Sequence, residues 1–161
     1  MSDLPKLLLV DDDAMSGQIL LKRLGKKGYA CDFVQSGEEC LEQIKTIDYD
    51  CVLLDIMMPD MSGSEVLAKI RTEKNRFELP VIMVTAKDGT SDIVEALKSG
   101  ASDYLTKPVN MDIAQARIST QVQLKNLVKE SLVSKQVSTI NTLVTTLNHE
   151  INNPRAIAIG N

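Results

Sequence analysis

Three short apolar runs, each ending on a polar residue with chemistry to offer, constrain the fold of this chain more than any other feature. Leu7-Leu8-Leu9-Val10 leads into Asp11-Asp12, Cys51-Val52-Leu53-Leu54 into Asp55, and Val81-Ile82-Met83-Val84 into Thr85. Continuous apolar runs bounded by polar turns read as strands buried on both faces of a parallel sheet. Ligands of such sheets bind in the crevice beyond the carboxyl ends of the strands. These residues, joined by Lys107-Pro108 after a further short strand, are therefore expected to converge on one site that binds a divalent cation and handles phosphate.

Between the runs lie amphipathic helices. The pattern predicts strands at Lys6–Val10, Ala30–Val34, Cys51–Asp55, Val81–Thr85 and about Asp103–Leu105. Helices are predicted over Met15–Lys26, from Ser36 to about Lys45, over about Ser64–Glu73 and over Asp92–Ser99. Ser36 and Glu39 form a capping-box pattern, Gly100 takes the left-handed terminating position, and Asn110 caps the next helix. Asp13 sits where a carboxylate favours a helix start. Right-handed crossovers then give an α/β fold with helices on both faces. By analogy the strand order is flavodoxin-like, 2-1-3-4-5, which brings Asp11, Asp12 and Asp55 side by side at the switch point.

A chain of 161 residues with 43% hydrophobic composition can build a full core and an extension. Its net charge of −4 and pI near 5.0 argue against a broad nucleic-acid-binding surface. With no signal-peptide pattern and no run long enough for a bilayer, the expectation is a cytoplasmic protein without a membrane segment. The three cysteines, Cys31, Cys40 and Cys51, lack metal-ligand spacing and read as reduced, buried side chains.

Beyond Pro108 the character changes, and the organisation expected is one domain over residues 1–124 and a helical extension over 125–161. No glycine or proline occurs from Asn110 to Asn152. Val133, Val137, Ile140, Val144, Leu147 and Ile151 alternate four and three apart, a coiled-coil seam that predicts a homodimer. Leu124, Leu127, Val128 and Leu132 fit that register poorly and imply a stutter. The alternative is a long helix folded back on its own domain.

The chemistry expected at the strand ends follows from charge. Carboxylates packed together raise one another's pKa unless a cation neutralises them. Mg²⁺ suits hard oxygen ligands with retained waters and a phosphate oxygen. Asp12 and Asp55 are expected to coordinate it directly, Asp11 largely through water, with the Met57 backbone carbonyl contributing. Asp55 is the nucleophile candidate, since a carboxylate can attack phosphorus to give an aspartyl-phosphate. Lys107 supplies the neutralising cation, with Pro108 fixing its approach through a cis bond. Thr85 can bond a phosphoryl oxygen, and Ala86 leaves room for the donor.

These motifs resemble the receiver domain of two-component response regulators. The resemblance rests on Leu9-Val10-Asp11-Asp12-Asp13, on Leu53-Leu54-Asp55 through Met57-Met58-Pro59 to Gly63, on Val84-Thr85-Ala86, and on Gly100 through Tyr104 to Lys107-Pro108. It covers about Pro5 to Leu124. It implies that Asp55 accepts phosphate from a phosphohistidine donor and that Thr85 and Tyr104 form a switch pair, altering the face of the fourth helix, fifth strand and fifth helix. Met57, which cannot hydrogen-bond a water through its side chain, and Lys87, which can hinder it, predict slow self-dephosphorylation.

The only histidine, His149, lies in Leu147-Asn148-His149-Glu150-Ile151-Asn152-Asn153-Pro154. This string resembles the phosphoacceptor box of sensor histidine kinases. The resemblance gives His149 the role of second phosphoacceptor, assisted by Glu150 and Asn153. Arg155 and Asn148 depart from the family pattern, and no glycine-rich ATP-binding motif is present. The expectation is that the chain is the N-terminal segment of a receiver–histidine kinase, the alternative being a stand-alone dimerising regulator. A Mg²⁺-dependent phosphohydrolase using Asp55 is a further alternative, disfavoured because Met57 stands where such enzymes place a second acid. A nucleotide-binding fold lacks its glycine-rich loop after the first strand.

Overall fold

The structure is a computed structural model and describes residues 4–86 and 90–152. Five strands and five helices alternate along the chain: β1 (Lys6–Val10), α1 (Ala14–Lys26), β2 (Ala30–Val34), α2 (Gly37–Thr46), β3 (Cys51–Asp55), α3 (Gly63–Arg71), β4 (Val81–Thr85), α4 (Thr90–Lys98), β5 (Asp103–Thr106) and α5 (Met111–Asn152). The sheet order is β2-β1-β3-β4-β5 and every pairing is parallel. This is the flavodoxin-like order expected from the sequence.

Strand alternation divides the core into two layers. Leu8, Val10, Val52, Leu54, Val81 and Met83 pack with Val66, Leu67, Ile70 and Ala96 from α3 and α4. Leu7, Leu9, Leu53, Ile82 and Val84 pack with Leu24 of α1 and with Ala114, Ile118 and Val122 of α5. Each such fully buried leucine, isoleucine or valine contributes roughly 1.5–3 kcal/mol.

Local chemistry sets the helix bounds. Asp13 accepts the N–H groups of Met15 and Ser16, so α1 starts one residue earlier than its apolar period indicates. Ser36 accepts the Glu39 N–H and Asn110 accepts those of Asp112 and Ile113, as expected of caps. Ser62 accepts the Glu65 N–H at 3.2 Å and starts α3 at Gly63. α3 stops at Arg71, two residues short of the expected end, because the Thr72 N–H turns back to Lys69 O in a tighter turn. Gly100 has φ +107°, the left-handed conformation that ends α4.

The chain separates into two compact units, Met1–Lys125 and Asn126–Asn161. In the first, α5 buries Ala114, Ile118, Val122 and Lys125. In the second, Val133, Val137, Ile140, Val144 and Leu147 are each at least half exposed. The buried face of α5 therefore follows a spacing different from that of the exposed seam. No helix among the described residues is long and apolar enough to cross a membrane. The cysteines are unbridged, and burial pushes the Cys31 thiol up to about 11 and those of Cys40 and Cys51 up to about 12.

Candidate functional site

The register of β1 on β3 pairs Val10 with Leu54, so the next residues, Asp11 and Asp55, emerge side by side. Asp12 joins them: carboxylate oxygens of Asp11, Asp12 and Asp55 lie within 4.8 Å of one another. Asp11 and Asp55 are buried, at 5% and 4% exposure, while Asp12 is exposed. Two of the carboxylates are held in the same way. One oxygen of each accepts a backbone N–H two residues on, Asp11 from Asp13 at 2.9 Å and Asp55 from Met57 at 3.1 Å. The other faces Lys107, whose Nζ donates to Asp55 Oδ2 at 2.8 Å and lies 3.6 Å from Asp11 Oδ2.

Lys107 reaches this position from the β5–α5 loop, where the Lys107-Pro108 peptide is cis, as the sequence suggested. Burial works against its charge. The hydrogen bond to Asp55 and the charges of Asp55 and Asp11 outweigh that and hold its pKa above the ordinary value. The Asp11 carboxyl pKa is raised as well: burial, reinforced by Asp55, outweighs the Asp13 N–H and Lys107. Among the described residues, three carboxylates meet one ammonium, which leaves two negative charges unmatched in a partly desolvated cluster. A divalent cation with a preference for hard oxygen ligands fits that donor set and its charge.

The loop after Asp55 is closed by Gly63. Its N–H donates to Ile56 O at 2.9 Å, and a Cβ at this position would lie 2.2 Å from Asp55 O. Only glycine allows the start of α3 to approach the backbone of Asp55 so closely. Met57 leaves its side chain 71% exposed at the mouth of the site. Thr85 is buried at the end of β4, one residue past the Val84 partner of Asp55. A cavity of about 450 Å³ opens beside the acids, walled by Ser16, Ile19 and Leu20 of α1 and by Lys107, Pro108 and Val109. Asp11 and Asp55 form part of its wall.

The remaining expected residues fall elsewhere. Tyr104, on β5, has its ring against Arg117 of α5. His149 and Glu150 belong to the second unit and are exposed on α5. Lys87, Asn153 and Arg155 lie outside the described residues, as does the side chain of Ile151. Sequence reasoning missed Arg117, and it gave Gly63 no role of its own. It also missed a second polar cluster in which Lys125, 8% exposed, donates to Tyr49 O at 2.8 Å beside Asp48 and Asp50. The available signal was a lysine on the apolar stripe of α5, continuing the period of Ala114, Ile118 and Val122.

Comparison with known proteins agrees with this geometry. The family model described as "Response regulator receiver domain" matches residues 7–119. The transcriptional regulatory protein DltR of Streptococcus agalactiae is 38% identical over 146 residues, covering 91% of this chain and 62% of DltR. The transcriptional regulatory protein HprR of Escherichia coli is 35% identical over 127 residues, covering 79% of this chain and 56% of HprR. The chain thus spans less than two thirds of the length of these curated relatives. Among solved structures, the receiver domain of the Francisella response regulator 1452 superposes with a TM-score of 0.68 at 34% identity, over 74% of this chain and 97% of that one. The BeF3-activated DrrB receiver domain does so with a TM-score of 0.66 at 29% identity, over 75% and 99% respectively.

Proposed function

The chain belongs to the response regulator receiver family, and on that premise we propose that it is a phosphorelay receiver that takes a phosphoryl group from a phosphohistidine onto Asp55 and switches a helical output. The observation that carries this reading is the charge-unbalanced cluster of Asp11, Asp12 and Asp55 under Lys107. Asp55 Oδ attacks phosphorus, the P–N bond breaks, and its electron pair returns to the imidazole of the donor. Lys107 stabilises the charge spread over the phosphoryl oxygens, and the Thr85 hydroxyl takes one of them. Asp12, Asp55, the Met57 carbonyl and, through water, Asp11 would hold a Mg²⁺ ion, which would supply charge neutralisation at the phosphoryl oxygens. Thr85 and Tyr104 act as the switch pair.

Met57 presents a thioether where a polar side chain could orient water, which supports a long-lived phosphoryl group. Met57→Asn is expected to speed the decay of phospho-Asp55; an unchanged rate removes this account. The test of the main reading is intact mass after incubation with Mg²⁺ and acetyl phosphate. Stoichiometric addition that disappears in Asp55→Asn supports a receiver, and sustained phosphate release over many turnovers supports a hydrolase instead.

For the output, the exposed seam from Val133 to Leu147 supports self-association through α5 as a coiled coil. Light scattering showing a monomer at high concentration, before and after phosphorylation, overturns that. Two downstream readings remain distinct. The relatives' names favour a transcriptional output, and the DltR similarity, covering 91% of this chain, runs well past residue 119. The box around His149 and Glu150 favours a kinase helix, and rests on that resemblance alone. Radiolabel appearing on His149 in the presence of a histidine kinase core selects the second.

A further inference from the structure

Tyr104 belongs to neither hydrophobic cluster of the sheet. It is half-buried on the edge strand β5. The guanidinium carbon of Arg117 lies 4.6 Å from the centre of the Tyr104 ring, within the range where a cation is drawn to an aromatic face. Nη1 of the same guanidinium donates to the Tyr104 carbonyl and lies 3.8 Å from Asp103 Oδ1. Asp103 Oδ1 in turn accepts the Tyr104 N–H at 2.8 Å. One arginine–aspartate pair therefore engages the N–H, the carbonyl and the ring face of a single residue. The arginine comes from α5 and the tyrosine from β5, so the contact ties the edge of the sheet to the helix. A planar guanidinium can stack and fork at once, which a lysine ammonium cannot.

We propose that Arg117 is a positioning residue that parks the Tyr104 ring on α5 and sets how often the unphosphorylated protein releases it. The inference rests on the switch role given to Tyr104 above and adds the element that holds the switch in its resting place. A ring that leaves this position gives up the stack. Removing the guanidinium therefore raises the released population by about 2- to 30-fold, the range that such contacts span. Because the coupling is reciprocal, a phosphoryl mimic that favours the released ring binds more tightly by the same factor, up to full release. Asp103 acts through Arg117 and has the smaller effect.

The test uses the full chain with ring-labelled tyrosine, whose three residues, Tyr29, Tyr49 and Tyr104, are separated by NMR. In Arg117→Gln without any phosphoryl donor, the Tyr104 resonance is expected to move towards its position in wild type saturated with Mg²⁺ and beryllofluoride. Tyr29 and Tyr49 should stay in place, which reports an intact fold. Beryllofluoride affinity should rise at least about 2-fold, and Arg117→Lys should fall between Arg117→Gln and wild type. A Tyr104 resonance in Arg117→Gln that coincides with resting wild type overturns the proposal. Where Arg117→Gln does not fold, Asp103→Asn takes its place: a smaller shift in the same direction supports the proposal and no shift overturns it. Failure of the receiver reading looks different, because wild type then takes up no phosphoryl group while the Tyr104 resonance still reports the Arg117 contact.

Discussion

At the carboxyl ends of β1 and β3, Asp11, Asp12 and Asp55 face one ammonium among the described residues, Lys107. Towards the other end of the same sheet, Asp32, Asp48 and Asp50 meet two, Lys6 and Lys125. The second group is also better supplied with other donors: Asp32 accepts the Tyr49 hydroxyl at 2.6 Å and Asp50 accepts the Lys6 N–H at 2.7 Å. Lys125, though buried, has a carbonyl and two carboxylates around it. The same residue types thus do opposite work. A polar cluster that closes its own hydrogen bonds fastens α5 to the sheet, whereas one left short of positive charge is ready for something from outside.

The sharpest way to break this contrast is to remove the lysine from each cluster. Lys107→Ala is expected to slow phosphorylation of Asp55 by about 100-fold, the cost of losing a charge-stabilising donor, while Lys125→Met leaves the rate within about 2-fold. Equal losses in both variants, read by intact mass against time, would show that the two clusters are not functionally distinct. Stability should respond in the reverse sense. Lys125→Met is expected to lower the unfolding free energy by about 2 kcal/mol, seen as a lower urea midpoint at unchanged slope.

Cation binding sharpens the comparison further. At ten times its dissociation constant, Mg²⁺ should stabilise the wild type by about 1.4 kcal/mol and have little effect on Asp55→Asn. Stabilisation of Asp55→Asn to the same degree places the ion elsewhere. The smallest effect is a pair of opposite signs. With a chelator present, Asp11→Asn should gain about 1 kcal/mol and Asp32→Asn lose about 1 kcal/mol, because the first relieves a buried charge and the second removes the charge that strengthens the bond from the Tyr49 hydroxyl. The pH sign follows. Burial and Asp55 raise the Asp11 pKa, so the folded state binds the proton more readily than the unfolded chain, and stability falls as pH rises through that range. The Asp11→Asn gain is therefore greatest above the raised pKa and shrinks as pH falls towards 3.8, the ordinary carboxylate value.

The unbalanced cluster was legible in the sequence and the balanced one was not, for a physical reason. Asp11, Asp55 and Lys107 each end or follow a short strand, and a parallel sheet aligns strand ends whatever the side chains do. The apolar runs therefore carried the site, and Asp13, Ser36 and Asn110 were readable as caps because a cap bonds a neighbour two or three residues on. Lys125 and Asp48 are 77 residues apart, and no local period joins them. The same holds for Arg117 over Tyr104, 13 residues away on another element. The seam from Val133 to Leu147 was visible as a pattern, and its residues are exposed.

The Ile56–Gly63 closure bears on how this site can be re-engineered. Because the Gly63 amide is bonded to Ile56 and its α-carbon lies against the backbone of Asp55, the loop between them is a ring of fixed circumference. Side chains on that ring, Met57 and Asp60 among them, can be exchanged without moving Asp55, whereas an inserted or deleted residue is expected to shift it. On the receiver function proposed above, the lifetime of the phosphoryl group is therefore expected to be open to substitution along the loop and closed to changes in its length.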